Sequence, residues 1–145
     1  MTDIPDINVW LALADGQHPL HSAAQSYWRD EAASVVGFTR VTMMGFLRLS
    51  TRPGVLSRPL APAEAWAIYR DYLSRDSIRL MPEPPGLDDE YERISSGESF
   101  LHHLWTDAGL AAFALAAGCR MVSFDADFAR FADLTFLHLQ PDAAI

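Results

Sequence analysis

Four aspartates, Asp6, Asp107, Asp125 and Asp127, stand where their type and spacing could do chemistry. Asp6 follows a short run that begins at Thr2, and Asp125 follows the apolar Met121-Val122-Ser123-Phe124, with Asp127 two residues further on. Open α/β sheets bind ligands beyond the carboxyl ends of their strands, so acids at those points face the place where a site belongs. Asp107 lies near the start of the apolar helical stretch that feeds the Asp125 strand, and a right-handed crossover can return that helix end to the same edge. Each acid also has a plain structural use. Asp6 and Asp125 precede helical segments and suit N-caps, while Asp107 and Asp127 fall in first turns, where the helix dipole favours negative charge. Capping accounts for each acid separately and does not require them to share an edge. Should they meet, bare carboxylates repel unless protons or a cation intervene, and a hard, oxygen-seeking ion such as Mg²⁺ or Mn²⁺ is the fitting occupant. An ion held by carboxylates, with water left in its shell, suits phosphodiester hydrolysis because it activates water and stabilises the leaving oxyanion.

The elements that must position these acids can be read from the periodicity. Short apolar runs alternate with amphipathic stretches, the pattern of an α/β domain with a mostly parallel sheet. A very short strand from Thr2 to Pro5 leads into a helix over 8–14 that Asp15-Gly16 stops, although Pro5 is unwelcome inside a central strand. A second helix is predicted over 20–30 and a buried strand over 34–38. Thr39 can cap a helix that ends before Arg52-Pro53-Gly54, and Pro62 opens another that carries Trp66 and Tyr69. Strand 78–81, an acidic exposed helix within 87–97, a buried helix over 102–117, strand 121–124, a short helix through Phe128 and Phe131, and strand 135–139 complete the series.

The chain has 145 residues, which fits one domain over 1–145 with one core. Half of it is apolar and 21% is charged, a globular balance that excludes disordered and collagen-like classes. No apolar run approaches the roughly 20 residues of a bilayer helix, the first residues lack the pattern of a signal peptide, and Cys119 stands alone. No membrane association and a cytoplasmic location are expected. All 11 basic residues are arginine, so chemistry that needs a lysine is excluded. The net charge of −8 argues against a globally basic nucleic-acid binder, yet 32–63 holds no acid and carries Arg40, Arg48, Arg52 and Arg58. Those arginines either present a surface to phosphate or decorate a solvated face; Arg40, Arg48 and Arg52 are the candidate phosphate contacts.

Four blocks in order carry a family likeness: Asp6-Ile7-Asn8-Val9-Trp10-Leu11-Ala12-Leu13, Thr42-Met43-Met44-Gly45-Phe46-Leu47-Arg48-Leu49, Thr106-Asp107-Ala108-Gly109-Leu110-Ala111-Ala112, and Val122-Ser123-Phe124-Asp125-Ala126-Asp127-Phe128. Together they resemble a PIN domain of the VapC toxin type over essentially the whole chain. The resemblance implies a three-layer α/β/α sandwich and a metal-dependent endoribonuclease, the toxin of a type II toxin–antitoxin pair. It makes Asp6, Asp107 and Asp125 metal ligands and Asp127 a fourth, direct or through water, with Mg²⁺ or Mn²⁺ as cofactor. It implies that Asn8 orients Asp6, that Arg48 meets RNA phosphate or an active-site acid, that the chain forms a homodimer, and that a cognate antitoxin lies across the acidic groove. His18-Pro19-Leu20-His21 also resembles an element of this subfamily, best read as structure where the second helix begins rather than as ligation.

One position departs from the family pattern. Where many members carry glutamate, this chain has Met43, which leaves at most four carboxylates and favours one metal over two. That loss motivates a rival reading, a catalytically weak domain that acts by binding antitoxin or RNA. A further rival is a small haloacid-dehalogenase-like phosphatase, because Asp6-Ile7-Asn8 and Asp125-Ala126-Asp127 resemble its paired acids, although it usually has aspartate at Asn8's place and a lysine absent here. Trp10, Trp28, Trp66 and Trp105 have apolar neighbours and are expected in the core, as is Cys119.

Overall fold

A computed structural model describes residues 1–142; positions 143–145 of the expected single domain lie outside the described residues. Five strands, β1 (Thr2–Pro5), β2 (Val35–Phe38), β3 (Ile78–Leu80), β4 (Arg120–Ser123) and β5 (Phe136–His138), form one sheet in the order β3-β2-β1-β4-β5. Every pairing is parallel, so the sheet expected to be mostly parallel is wholly so. Six α-helices cover it: α1 (Ile7–Ala14), α2 (His21–Asp30), α3 (Arg40–Ser50), α4 (Pro62–Leu73), α5 (Leu87–Ser95) and α6 (Trp105–Ala117). The strand order moves outward from β1 to β3 and then jumps back across the sheet to β4. Right-handed crossovers therefore place α1 to α4 on one face and α5 and α6 on the other. The result is the three-layer α/β/α sandwich.

Local chemistry explains the boundaries. Pro5 ends β1: its pairing with β2 stops at Asp3↔Val36 while pairing with β4 continues to Pro5↔Val122, so the missing N–H falls where the β2 ladder has already finished. Thr39 and Thr42 form a capping box at the start of α3, and Pro62 occupies the first turn of α4, where Glu64 accepts from the Ala61 N–H at 3.0 Å. Gly118, with φ of 67°, ends α6 in the left-handed conformation that a side chain would oppose. Two expected helices differ in type. The stretch from His102 to Leu104 is a 3-10 turn that precedes α6, and Ala126–Arg130 is a 3-10 turn as well, too short to wind an α-helix against the sheet edge.

The core has one cluster on the α6 face of the sheet and two on the other, the smaller of them built from Val9, Tyr27, Val122 and Leu139. Ile4, Met121 and Phe128 pack with the apolar side of α6. On the opposite face Trp10 stacks on Phe38 at 3.9 Å between ring centroids, and Phe46, Tyr69 and Ile78 close around them. The expectation of four core tryptophans is corrected here: Trp10 is buried and Trp28 half-buried, whereas Trp66 and Trp105 are 43% and 50% exposed, Trp105 packing one side against Tyr91 and Phe100 and Trp66 lying on the outer side of α4. Cys119 is buried as expected. Gly45 gives α3 its close approach to α1, since an added Cβ would stand 2.1 Å from Ile7 Cδ1.

Opposite the acidic end of the sheet, Asp3 is fully buried beside its counterion. Arg120 donates to both its oxygens at 2.8 and 2.9 Å, Tyr27 donates at 2.7 Å and the Ala33 N–H at 3.0 Å. This network ties β1, α2 and β4 together, and removing one partner strands a buried charge. Arg120→Ala is expected to cost about 3 kcal/mol, read as a lower urea midpoint at constant m-value, while Tyr27→Phe costs about 1 kcal/mol. Equal midpoints for Arg120→Ala and wild type would exclude this role.

Candidate metal centre

Pairing of β1 with β4 joins two parts of the chain that lie far apart in sequence. The Asp6 N–H continues the ladder onto Val122 O at 2.8 Å, which brings Asp6 level with Ser123. Asp6 is the N-cap of α1, its Oδ1 accepting from the Ile7 N–H at 2.8 Å. Its Oδ2 accepts from the Ser123 hydroxyl at 2.7 Å, and that hydroxyl accepts from Asn8 Nδ2 at 3.2 Å and from the Asp125 N–H at 2.9 Å. Ser123 thereby uses its one donor and both lone pairs. Sequence reasoning missed this residue. A hydroxyl inside an apolar strand, two residues before an acid, was the available signal, because a buried hydroxyl must find partners. Asn8 is held to Ser123 and to the Phe124 N–H at 3.4 Å, so its link to Asp6 runs through Ser123.

Asp125 caps the 3-10 turn after β4, its Oδ1 accepting from the Asp127 N–H at 2.9 Å. Asp127 points outward and pairs with Arg130 at 3.6 Å. Asp107, in the first turn of α6, reaches the same edge from the opposite layer and is half-buried. Burial pushes the Asp6 carboxyl above its ordinary range against the hydrogen bonds of Ser123 and Ile7, and the charge of Asp125 adds to the rise. Asp107 is pushed up to about 6, first by burial and then by the charges of Asp6, Asp125 and Asp127, with His103 opposing. The structural caps and the shared edge therefore coexist: Asp6 and Asp125 open helical turns, and the edge they share with Asp107 and Asp127 still adds negative charge around Asp6 and Asp107.

Carboxylate oxygens alone form this donor set, and that chemistry fits a hard divalent cation. Among the described residues no three His, Cys, Asp or Glu side chains are grouped closely enough to hold one ion directly. Asp6 and Asp125 are tied through Ser123; together with Asp107 they would hold a divalent ion that keeps part of its hydration shell. Met43, where the family glutamate was sought, is 6% exposed in the core, so α3 sends no carboxylate to the edge from that position. His18 and His21 act in structure, His18 Nδ1 accepting from the Leu20 N–H at 3.1 Å and His21 Nδ1 lying 2.7 Å from Ala12 O.

The arginines spread out. Arg40 begins α3 at the carboxyl edge of the sheet and borders a groove of about 350 Å³ lined by Val41, Met81, Tyr91, Trp105 and Leu110. Arg48 lies about 12 Å further along the helix axis, and Arg52 follows the end of α3. Arg58 is bonded to Glu64. Among the described residues Arg40, Arg48 and Arg52 have no acidic partner, and only Arg40 borders the groove beside the carboxylate edge.

Comparison with known proteins agrees with this geometry. The PIN domain family model matches residues 4–134, a span that holds all four aspartates. Ribonuclease VapC41 of Mycobacterium tuberculosis is 40% identical over 133 residues, covering 87% of this chain and 90% of its own length. Ribonuclease VapC33 of the same organism is 36% identical, covering 90% and 93% respectively. Among solved structures, M. tuberculosis VapC20, described as a sarcin-ricin loop cleaving toxin, superposes with a TM-score of 0.66 at 18% identity over 92% of this chain and 98% of that one. VapBC2 of Rickettsia felis, bound to a promoter DNA fragment, gives 0.67 at 10% identity over 97% of this chain and all of its own. The chain belongs to the PIN domain family, on its VapC ribonuclease branch. No helix among the described residues is long and apolar enough to cross a membrane.

The raised carboxyls set the sign of the pH dependence. A folded state that holds protons more tightly than the unfolded chain loses stability as pH rises from the ordinary carboxylate range through about 6. Metal-free Asp107→Asn, freed of that charge, is expected to melt roughly 2–4 °C above wild type at about pH 7.5, on the order of 1 kcal/mol after solvent screening. The gain should vanish below about pH 4, where wild type is protonated as well. Scanning calorimetry that finds no gain at neutral pH would show that the neighbouring acids do not load Asp107.

Proposed function

We propose that this chain is the ribonuclease toxin of a toxin–antitoxin pair and hydrolyses RNA phosphodiester bonds at the edge formed by Asp6, Asp107, Asp125 and Asp127. One observation carries the reading: acids from the β1 end, α6 and the β4 end, far apart in sequence, stand at a single edge of the sheet, where burial and then the charges of neighbouring acids raise the Asp6 and Asp107 carboxyls. The names of the VapC relatives and the toxin description of VapC20 support it. Asp6, Asp107 and Asp125 would hold the divalent ion, Mg²⁺ or Mn²⁺, which when bound supplies Lewis acidity toward the phosphoryl oxygen and makes water more acidic.

The chain's own groups do the positioning. Ser123 fixes the rotamer of Asp6, and Asn8 fixes Ser123, so the acid is oriented before substrate arrives. Asp127, exposed at the rim, orients the attacking water as a hydrogen-bond acceptor. Arg40 meets an RNA phosphate across the groove. The water oxygen bonds to phosphorus as the P–O3′ bond breaks, leaving a 5′-phosphate and a 3′-hydroxyl; no side chain forms a covalent intermediate. A basic segment of a cognate antitoxin fits the acidic edge and would compete with the ion and the RNA, with an affinity that falls as salt rises. A homodimer is part of this reading. The buried Met43 favours a second one, a domain that binds RNA or antitoxin and cleaves weakly.

Labelled cellular RNA incubated with EDTA, Mg²⁺ or Mn²⁺ separates these readings. Cleavage is expected only with metal, to fall by more than about 100-fold in Asp6→Asn and Asp107→Asn, and by roughly 10- to 100-fold in Ser123→Ala. Ends that carry 2′,3′-cyclic phosphate would overturn the water mechanism, and folded wild type that binds RNA yet stays inert with either metal would install the second reading.

A further inference from the structure

On the outer side of α4 exposed aromatic surface lies beside an unpaired cation. Trp66 is 43% exposed although it sits in a helix whose other aromatics, Tyr69 and Tyr72, are buried and half-buried. Arg70, one turn on, lies 5.7 Å from the centroid of the Trp66 ring. The two acids of α4 are already engaged, Glu64 by Arg58 at 3.0 Å and Asp71 by Arg75 at 3.5 Å, and among the described residues Arg70 has no acidic partner. Trp66 meets Tyr69 edge-on at 6.0 Å, and Arg70 and Arg40 both lie close enough to the Tyr69 hydroxyl for their charges to act on it. Arg40, at the start of α3 on the carboxyl edge of the sheet, is another cation without an acidic partner among the described residues. In a protein of net charge −8, this surface sets an exposed indole beside a guanidinium group that has no acidic partner among the described residues.

We propose that Trp66, Arg70 and Arg40 form a path for single-stranded RNA that ends at the carboxylate edge, one base stacking at Trp66 and the two guanidinium groups taking phosphates. This inference rests on the ribonuclease reading above. Aromatic rings accept any base by stacking, and arginine serves both as a plane beside a ring and as a fork for phosphate oxygens. Charge selects the occupant: the same surface repels the basic segment that suits the acidic edge, so RNA and a basic partner protein are sorted to different faces. The path has the further effect of giving the strand an attractive surface next to an edge whose carboxylates repel phosphate.

The test is binding of a fluorescein-labelled, unstructured RNA of about 12 nucleotides, with Ca²⁺ in place of Mg²⁺, to wild type, Trp66→Ala, Trp66→Phe and Arg70→Ala. Trp66→Ala is expected to weaken binding by roughly 5- to 100-fold, with most of the loss recovered in Trp66→Phe. Arg70→Ala should flatten the dependence of log K on log salt by about 0.7. In Mg²⁺ the loss should appear in KM rather than kcat. Arg70 is exposed and Trp66→Phe is conservative, so these two keep the test decisive if Trp66→Ala folds poorly. RNA binding and cleavage equal to wild type in both Trp66→Ala and Arg70→Ala would overturn the path and leave the ribonuclease reading intact. Wild type that neither binds nor cleaves RNA would overturn both. Unchanged RNA affinity with weakened binding of a protein partner would assign the face to that protein and overturn the path.

Discussion

Like charge confined to one edge of a sheet is the constraint around which this molecule is arranged. The two ends of β1 show the contrast. At its amino end Asp3 is buried with a bidentate arginine, a tyrosine hydroxyl and a backbone N–H, and the charge is fully answered from within the protein. At its carboxyl end Asp6 has a hydroxyl and an N–H but no cation, and its neighbours in space are more acids. Low polarity around both ends strengthens whatever electrostatics they have. One end therefore acts as an internal clamp. The other is left with a deficit that only a proton, an ion or a positively charged partner can fill.

The scaffold makes that deficit tolerable by spreading the acids over different elements. Asp6 rides on the β1–α1 junction, Asp107 on α6 from the opposite layer, and Asp125 and Asp127 on the turn after β4. The parallel pairing of β1 with β4 sets the lateral spacing, and Ser123 converts that pairing into a defined direction for the Asp6 carboxylate. Because the hydroxyl has no free valence left, it cannot be satisfied in another arrangement without breaking a bond to Asn8, Asp6 or Asp125. The site is thus fixed by hydrogen bonds at its centre, while Asp127 stands exposed at its rim beside Arg130.

Much of this was legible in the chain because local rules and tertiary structure agree. Thr39, Pro62 and Gly118 mark helix ends by mechanisms that need only a few neighbouring residues, and each strand carries its own apolar run. The acids could be picked out because position after a strand is a one-dimensional property. What escaped depends on register between distant segments. Asn8 meets Ser123 across 115 positions, and nothing in either stretch states which residue will face which. Trp66 and Trp105 failed as core residues for a related reason: periodicity shows that a helix has an apolar side, while coverage of each position depends on the neighbours that the fold supplies. Local geometry decided the two 3-10 turns, where a short segment had to fit against a strand end.

The contact of Gly45 with Ile7 reaches beyond packing. Ile7 is the first residue of α1 and donates its N–H to the very carboxylate that would hold the ion. With no side chain at position 45, α3 sits close enough to brace that first turn. The spacing between two helices in the outer layer is in this way coupled to the height at which Asp6 stands above the sheet. Variation at position 45 would retune the site from behind, by steric leverage on a helix start, in a protein whose acidic residues all remained in place.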